Sequence, residues 1–311
     1  MKLRIVFFGT PEFAVESAKA IYNAGYEIAA VVTAPDKIGG RGHKLLQSDV
    51  KQWAIANNLP VLQPVNLKDE EFLQHLKGLD ANLFVVIAFR MLPEAVWTMP
   101  SLGTFNLHAS LLPRYRGAAP INHAIMNGDT ETGVTTFFLR HEIDTGDIIL
   151  QQSIKIEEND NAGSLHDKLM HLGAEVTLRT LDLIGKDEVN AVPQSAISAE
   201  SSPAPKIFHH NSMIDWNLPA DEIRNFVRGL SPYPAARANL QFPLNNKEEY
   251  KIFEVKTVSE QLADPGKVLV ADGKIFVGCG KGSLEILSLQ AQGKRRLEAR
   301  DFLNGLKSIS K

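Results

Sequence analysis

Residues 3–8 form a short run, apolar except at Arg4, that stops at Gly9. A run this short and this apolar predicts a strand buried on both faces. Thr10 can cap a following helix, with Pro11 in the first turn, where a missing N–H costs nothing. Phe13, Ala14, Ala18 and Ile21 give that helix an apolar stripe, and Gly25 ends it. The rhythm then repeats along the chain. Strands are expected over 27–33, 61–62, 83–88 and 104–107, and helices over 49–57 and 69–76. Strand and helix in alternation predict an α/β fold with a mostly parallel sheet covered on both faces. Ligands of such sheets bind beyond the carboxyl ends of the strands. That rule singles out Gly9-Thr10, Phe89-Arg90-Met91 and residues 106–116.

Two further strands are expected over 132–140 and 148–156, and a helix over 164–183, opened by a capping-box pattern of Ser164 and Asp167. Residues 191–206 are rich in Ser, Ala and Pro without periodicity and read as a linker. An amphipathic helix follows over 221–230, with Ile223, Phe226, Val227 and Leu230 on one face. Short strands at 236–240, 250–258, 267–270, 274–278 and 284–289 are separated by Gly, Asn or Asp. Five such strands predict a small barrel of the oligonucleotide-binding type. The domain division is therefore 1–190, a linker over 191–206, and 207–311.

Composition narrows the setting. With 44% hydrophobic and 22% charged residues, the 311-residue chain is ordinary globular protein. One cysteine, Cys279, rules out an internal disulfide and a multi-cysteine metal site. A reducing, cytoplasmic setting is expected. No apolar run approaches a membrane span, and the first one is too short for a secretory signal. The net charge of −3 is unevenly spread. Residues 206–311 hold 16 Lys and Arg against 12 Asp and Glu, a surplus of four that leaves the rest with a deficit of seven. A polyanion partner fits that asymmetry, as does ordinary surface charge.

The densest polar cluster is Asn106-Leu107-His108 with the irregular, proline-bounded stretch Ser110 to Pro120. Positions 106 and 108 of a strand project to one side. An amide can donate to a developing oxyanion, and an imidazole can donate or move a proton near neutral pH. Asp144, in Asp144-Thr145-Gly146-Asp147, lies in a turn between two strands and could orient His108. These residue types also permit blander readings. Asn106 and His108 could satisfy strand-end backbone groups, and residues 144–147 could be only a turn. A third feature is the basic, glycine-rich stretch over 35–45, in which Arg41, His43 and Lys44 could meet phosphates or simply be solvated. No three-glycine dinucleotide fingerprint and no phosphate loop of the Gly-Lys-Ser/Thr kind occurs. His209-His210 has no third metal ligand at a convincing spacing. Residue types alone leave an α/β enzyme of unassigned reaction.

At these motifs the chain resembles the methionyl-tRNA formyltransferases over nearly its whole length. The matching segments are Phe8-Gly-Thr-Pro-Glu-Phe-Ala14, Arg41-Gly42, Asn106-Leu-His108, Ser110-Leu-Leu-Pro113, Arg116-Gly-Ala-Ala-Pro120 and Asp144-Thr-Gly-Asp147. In the second half they are Ala204-Pro-Lys-Ile207, Ile214-Asp-Trp216, Gly293-Lys-Arg-Arg296 and Phe302-Leu-Asn-Gly305. The family loop usually reads close to Pro-Asp-Arg-Pro-Ala-Gly-Arg-Gly-Lys-Lys; this chain departs from it at Lys37, Ile38, Gly39 and His43 and keeps Arg41.

The resemblance implies a Rossmann-like formyltransferase domain followed by an OB-like domain that helps hold tRNA. It implies Asn106, His108 and Asp144 as the catalytic trio. Phe89, Arg90, Met91 and Leu92 with Ser110, Leu111, Leu112 and Pro113 would line a folate site. Arg41 and Lys44 would reach the acceptor end of the tRNA. The expected cosubstrate is 10-formyltetrahydrofolate, the acceptor is the α-amine of methionyl-tRNA, and no metal or membrane takes part; the chain is expected to be a monomer. Asn106 and protonated His108 would stabilise the tetrahedral oxyanion while Asp144 supports proton transfer. Three alternatives stand beside this: a sister transferase acting on a small amine, a hydrolase passing formyl to water, and a non-catalytic RNA binder. The roughly 100-residue C-terminal part argues against the first, and the intact trio against the last.

Overall fold

The alternating pattern is realised as a parallel sheet with helices. The computed structural model describes residues 1–39, 44–242 and 248–309. In chain order its first part runs β1 (Arg4–Gly9), α1 (Glu12–Asn23), β2 (Glu27–Val32), β3 (Lys37–Gly39), β4 (Lys44–Leu46), α2 (Asp49–Ala56), β5 (Val61–Leu62), α3 (Glu70–Gly78), β6 (Leu83–Ile87), α4 (Glu94–Trp97) and β7 (Thr104–His108). It continues through β8 (Arg116–Gly117), α5 (Pro120–Met126), β9 (Glu131–Phe138), β10 (Ile148–Lys155) and α6 (Ala162–Lys186). Two compact units result: Met1–Gly117 with Thr132–Ile154 and His166–Pro203, and Ala118–Glu131 with Lys155–Leu165 and Ala204–Lys311.

The first unit is built on a seven-stranded sheet in the order β10-β9-β7-β6-β1-β2-β5. From β7 to β5 neighbouring strands are parallel, and β9 joins β7 antiparallel. The strand order reverses between β1 and β6, so their carboxyl ends flank the crevice where such sheets bind ligands. The two strands approach closely at Gly9. A Cβ there would sit 2.7 Å from the Ala14 Cβ and 3.2 Å from the Ile87 carbonyl oxygen. Val6, Phe8, Phe84 and Val86 pack with Leu76 of α3 and Val96 of α4. At β7, Leu107 and its register partner Thr136 both meet α6. Thr136 bonds Thr180 at 2.8 Å, and Gly173 faces the Leu107 side chain. Alternation along β7 therefore turns Asn106 and His108 away from α6.

Two helix starts differ from the sequence expectation. Thr10 makes no cap; Pro11 takes the N-cap position of α1 without a side-chain hydrogen bond. The helix α6 begins two residues before Ser164, because Asn161 supplies the cap. Its Oδ1 accepts from the Ser164 N–H at 3.0 Å, and Ser164 Oγ accepts from the Asn161 N–H at 3.1 Å. The reciprocal box thus pairs Ser164 with a residue before it, not with Asp167.

After β11 (Pro203–Ala204), at which the first unit gives way to the second, the second unit adds α7 (Ala220–Leu230), β12 (Ala236–Leu240), β13 (Glu248–Val258), β14 (Val268–Ala271), β15 (Lys274–Gly278), β16 (Ser283–Ala291), β17 (Leu297–Glu298) and α8 (Ala299–Ile309). All five expected strands form, but the expected barrel does not close. The antiparallel sheet runs β12-β13-β16-β15-β14, with β17 paired to β16, and its ends β12 and β14 are not neighbours. The physical reason is that helices cover the apolar face. Ile223, Val227 and Leu230 of α7 and Phe302 and Leu303 of α8 share one core with Tyr250, Ile252, Ile275, Ile286 and Leu289 of the sheet. A sheet whose apolar face is already buried under helices gains little by curling onto itself. Cys279 lies in this core, fully buried, and burial pushes its thiol up to about 11.

The aromatic centre of this core is a triangle. Phe302 packs edge-on against Phe242 and Tyr250, with centroids 4.9 and 5.7 Å away, and Phe242 lies 5.2 Å from Tyr250. Phe302→Ala is expected to cost about 3–5 kcal/mol in chemical denaturation. A loss under about 1 kcal/mol, the scale of a surface substitution, would contradict the role of α8 as a core element.

Candidate active site

β7 ends at His108, beside β6 and next to the crevice at the carboxyl edge of the sheet. Asn106 is half-buried, and among the described residues its carboxamide has no hydrogen-bond partner. His108 is only 7% exposed, and both of its ring nitrogens face polar groups. Nε2 lies 2.8 Å from the Tyr115 carbonyl oxygen. A carbonyl only accepts, so Nε2 carries a proton. Nδ1 faces Asp144 Oδ2 at 3.7 Å. A protonated ring meets that carboxylate with an N–H, whereas a neutral ring would meet it with a lone pair. Both ring nitrogens therefore face oxygen acceptors. At 3.7 Å the pair is an ionic contact with room for adjustment and not a formed hydrogen bond.

Asp144 reaches this position by a fold-back. Because β9 is antiparallel to β7, His108 pairs with Thr135 and Phe105 with Phe138. The chain leaves β9 level with the start of β7, and residues 139–147 must return toward its end. Gly146 makes the return possible: a Cβ there would lie 1.6 Å from the Phe138 carbonyl oxygen. Asp144 itself adopts φ 55°, the left-handed region. Its Oδ2 accepts from the Gly117 N–H at 2.9 Å. Gln194 Nε2 donates to the carbonyls of Asp144 and Gly146 at 2.8 and 2.9 Å. Arg140 and Asp147 pair at the outer end of the turn, 2.5 Å apart.

The loop after β7 is fixed from below. Thr135, fully buried, donates through Oγ1 to the Ser110 carbonyl at 2.7 Å and accepts from the Leu112 N–H at 3.1 Å and from Gln151 Nε2 at 2.9 Å. Gln151 also donates to the Leu112 carbonyl at 2.8 Å. Ser110 spends its hydroxyl on the Arg114 carbonyl at 2.6 Å. Ser110, Leu112 and Pro113 are buried and Leu111 half-buried, so this segment presents its main chain more than its side chains. Across the crevice, Phe89 packs 5.7 Å from Phe8, and Leu92 is buried. Arg90 donates to the carbonyls of Val65, at 2.9 Å, and Pro64, while Met91 is 73% exposed.

The basic stretch is only partly described. Arg41 lies outside the described residues. Lys44 lies in β4, opposite Gly39 of β3. Side-chain bonds tie down the segments that flank β3 and β4. Asp36 meets Lys51 Nζ at 2.6 Å and Gln63 Nε2 at 2.7 Å, and the Thr33 and Ser48 hydroxyls bond at 2.7 Å. The bonds from Gln63 and Lys51 hold the Asp36 carboxyl below its ordinary value. Among the described residues no group of three His, Cys, Asp or Glu side chains could hold a metal.

Residues 191–206 contribute more than a linker's connection. Val192 bridges to Ile148, Gln194 holds the Asp144 turn, and Ser202 accepts from the Tyr115 N–H at 3.0 Å through its hydroxyl and from the Arg116 N–H at 2.9 Å through its carbonyl. Sequence reasoning passed over Gln194, Thr135 and Gln151, because single polar residues carry no periodic signal.

Relatives and solved structures agree with this architecture. The formyl transferase family model matches residues 2–181, and the model of the formyl transferase C-terminal domain matches 206–307. The methionyl-tRNA formyltransferase of Bacteroides fragilis is 53% identical over 308 residues, 97% of this chain and 95% of that protein. That of Flavobacterium johnsoniae is 50% identical over 306 residues, 98% and 96% of the two chains. Among solved structures, HypX from Aquifex aeolicus in complex with tetrahydrofolic acid matches with a TM-score of 0.67 at 17% identity, over 98% of this chain and 48% of that one. The N-formyltransferase from Helicobacter canadensis in complex with folinic acid and dTDP-3-aminofucose matches at 0.65 and 20% identity, over 95% and 100%. At such identities the two structures speak for the fold. The sequence relatives, near one-half identical from end to end, speak for more: this chain belongs to the formyltransferase family and, within it, to the methionyl-tRNA formyltransferases.

Proposed function

We propose that this protein transfers the formyl group of 10-formyltetrahydrofolate to the free amino group of methionyl-tRNA, giving N-formylmethionyl-tRNA for translation initiation. The observation that carries the reading is the meeting of His108 and Asp144 at the carboxyl edge of the sheet, beside an Asn106 carboxamide with no partner among the described residues, in a chain near one-half identical to methionyl-tRNA formyltransferases. Formylation of methionyl-tRNA is the activity of that family, and a cytoplasmic setting belongs to the same reading.

The α-amine attacks the formyl carbon, a C–N bond forms, and the carbonyl oxygen takes negative charge. Asn106 donates to that oxyanion through its carboxamide. His108, protonated and backed by Asp144, supplies positive charge close by. Its Nε2–H is engaged by Tyr115 in the resting geometry, so a direct bond to the oxyanion requires that carbonyl to yield. Asp144 takes the proton of the attacking amine through a water. The oxyanion collapses, the bond from carbon to the folate nitrogen breaks, and that nitrogen leaves with the proton Asp144 had taken, returned through the water. The segments 89–92 and 110–113 flank the folate, the first with the exposed side chains of Arg90 and Met91 and the second mainly with its main chain. Arg41 and Lys44 meet the acceptor end of the tRNA. The chain acts as a monomer.

Asn106→Ala and His108→Ala are each expected to lower kcat about 100-fold or more, the usual cost of losing an oxyanion donor. The check is conversion of methionyl-tRNA to N-formylmethionyl-tRNA in the presence of 10-formyltetrahydrofolate. Full activity in either folded variant would remove that residue from the mechanism. For Arg41→Ala the expected outcome is a raised KM for methionyl-tRNA with unchanged folate-induced thermal stabilisation. An unaltered KM and kcat toward the tRNA would end the assignment of Arg41.

A further inference from the structure

We infer that Gln194 is a positioning residue for the formyl transfer, acting through Asp144; the inference rests on the catalytic reading of Asp144 given above. Gln194 is 5% exposed and spends its whole side-chain amide on this turn. Its Nε2 makes the two bonds into the Asp144 and Gly146 carbonyls, one on each side of Thr145. Its Oε1 accepts from Arg116 twice, from Nε at 3.1 Å and Nη2 at 2.6 Å. The residue after Arg116 is Gly117, whose N–H holds the Asp144 carboxylate. The bonds close a circuit: Gln194 to the Asp144 backbone, the Asp144 carboxylate to Gly117, and Arg116 back to Gln194.

A primary amide is the group this circuit requires. It accepts at one end and donates twice at the other, whereas a carboxylate only accepts and a thioether does neither to any extent. The circuit also has a conformational task. A left-handed aspartate is strained and persists where its surroundings over-determine it. Without Gln194 the carbonyls of Asp144 and Gly146 lose their donor, and the turn is free to relax toward the right-handed region. The carboxylate would then swing away from His108 Nδ1 by a distance that matters. Displacements of about 1 Å at a catalytic group can cost on the order of 100-fold in rate.

Three features of sequence and fold bring Gln194 there. The bridge between Val192 and Ile148 sets the segment beside the first residue of β10. Pro193 turns it into one 3-10 turn, Gln194–Ala196, and the Gln194 side chain then points back under the 144–147 turn. Its place between strand-edge backbone and catalytic turn makes it a positioning residue and not one that touches substrate.

The test uses the full-length protein with Gln194→Met, which keeps the volume, and Gln194→Glu, which keeps the acceptor for Arg116. In both, kcat is expected to fall about 10-fold or more while KM for methionyl-tRNA and for 10-formyltetrahydrofolate changes little. In an Asp144→Ala background, Gln194→Met is expected to add no further loss, because the two act as one unit. Melting temperature and folate-induced stabilisation identify the folded variants, and Gln194→Glu decides if Gln194→Met does not fold. Full kcat in a folded Gln194 variant, or losses that multiply with that of Asp144→Ala, would overturn the inference. Full activity in Asp144→Ala alone would instead sink the catalytic reading of Asp144.

Discussion

The geometry of the site hangs on the hydrogen bond from the Gly117 N–H to the Asp144 carboxylate. It holds one oxygen of a left-handed aspartate at the place where the ring of His108 ends. On the other side of that ring, the Tyr115 carbonyl fixes which nitrogen carries the proton. Tyr115 and Gly117 belong to one short stretch of backbone, so a single loop conformation sets both the orientation of the histidine ring and the position of its carboxylate. Tyr115 is itself left-handed, at φ 59°, and is held there by the Ser202 hydroxyl.

The sheet provides the rigid frame for that loop. β1, β6 and β7 are parallel neighbours, and their carboxyl ends therefore share one edge. Thr135 ties the loop to β9 with two hydrogen bonds and takes a third from Gln151 of β10, all inside the protein, where each is stronger than it would be in water. The second unit solves a different problem. Its antiparallel sheet has one apolar face, and α7 and α8 cover it. Strand count and turn spacing are the same for an open, helix-covered sheet and for a closed barrel; only the covering elements distinguish them.

That difference explains what was legible in the sequence. The strands of the first unit could be read because a strand buried on both faces is a run of apolar residues, as in residues 83–87. Asn106 and His108 could be paired because strand alternation is a local rule. The cap of α6 was misplaced because Ser164 lies in a box with Asn161, and the pattern also permits Asp167. The helix α8 was missed because its buried face is short, chiefly Phe302 and Leu303, and follows a charged stretch. The proximity of Asp144 to His108 was beyond sequence reasoning, since it depends on a turn that doubles back along β7. Gln194 was hidden for a related reason. Its four bonds go to backbone and guanidinium groups between 48 and 78 residues away, and neighbouring residues carry no trace of such partners.

The single buried thiol of this chain has a practical side. Cys279 is enclosed by the core of the second unit, and burial holds its thiol up to about 11, so almost none of it is thiolate at neutral pH. The folded protein is thus chemically silent toward maleimides and similar reagents. A cysteine introduced at an exposed position, such as Met91 beside the crevice, would be the one reactive thiol of the native state. A fluorophore placed there would report ligand arrival and departure without removal of any natural residue from the core.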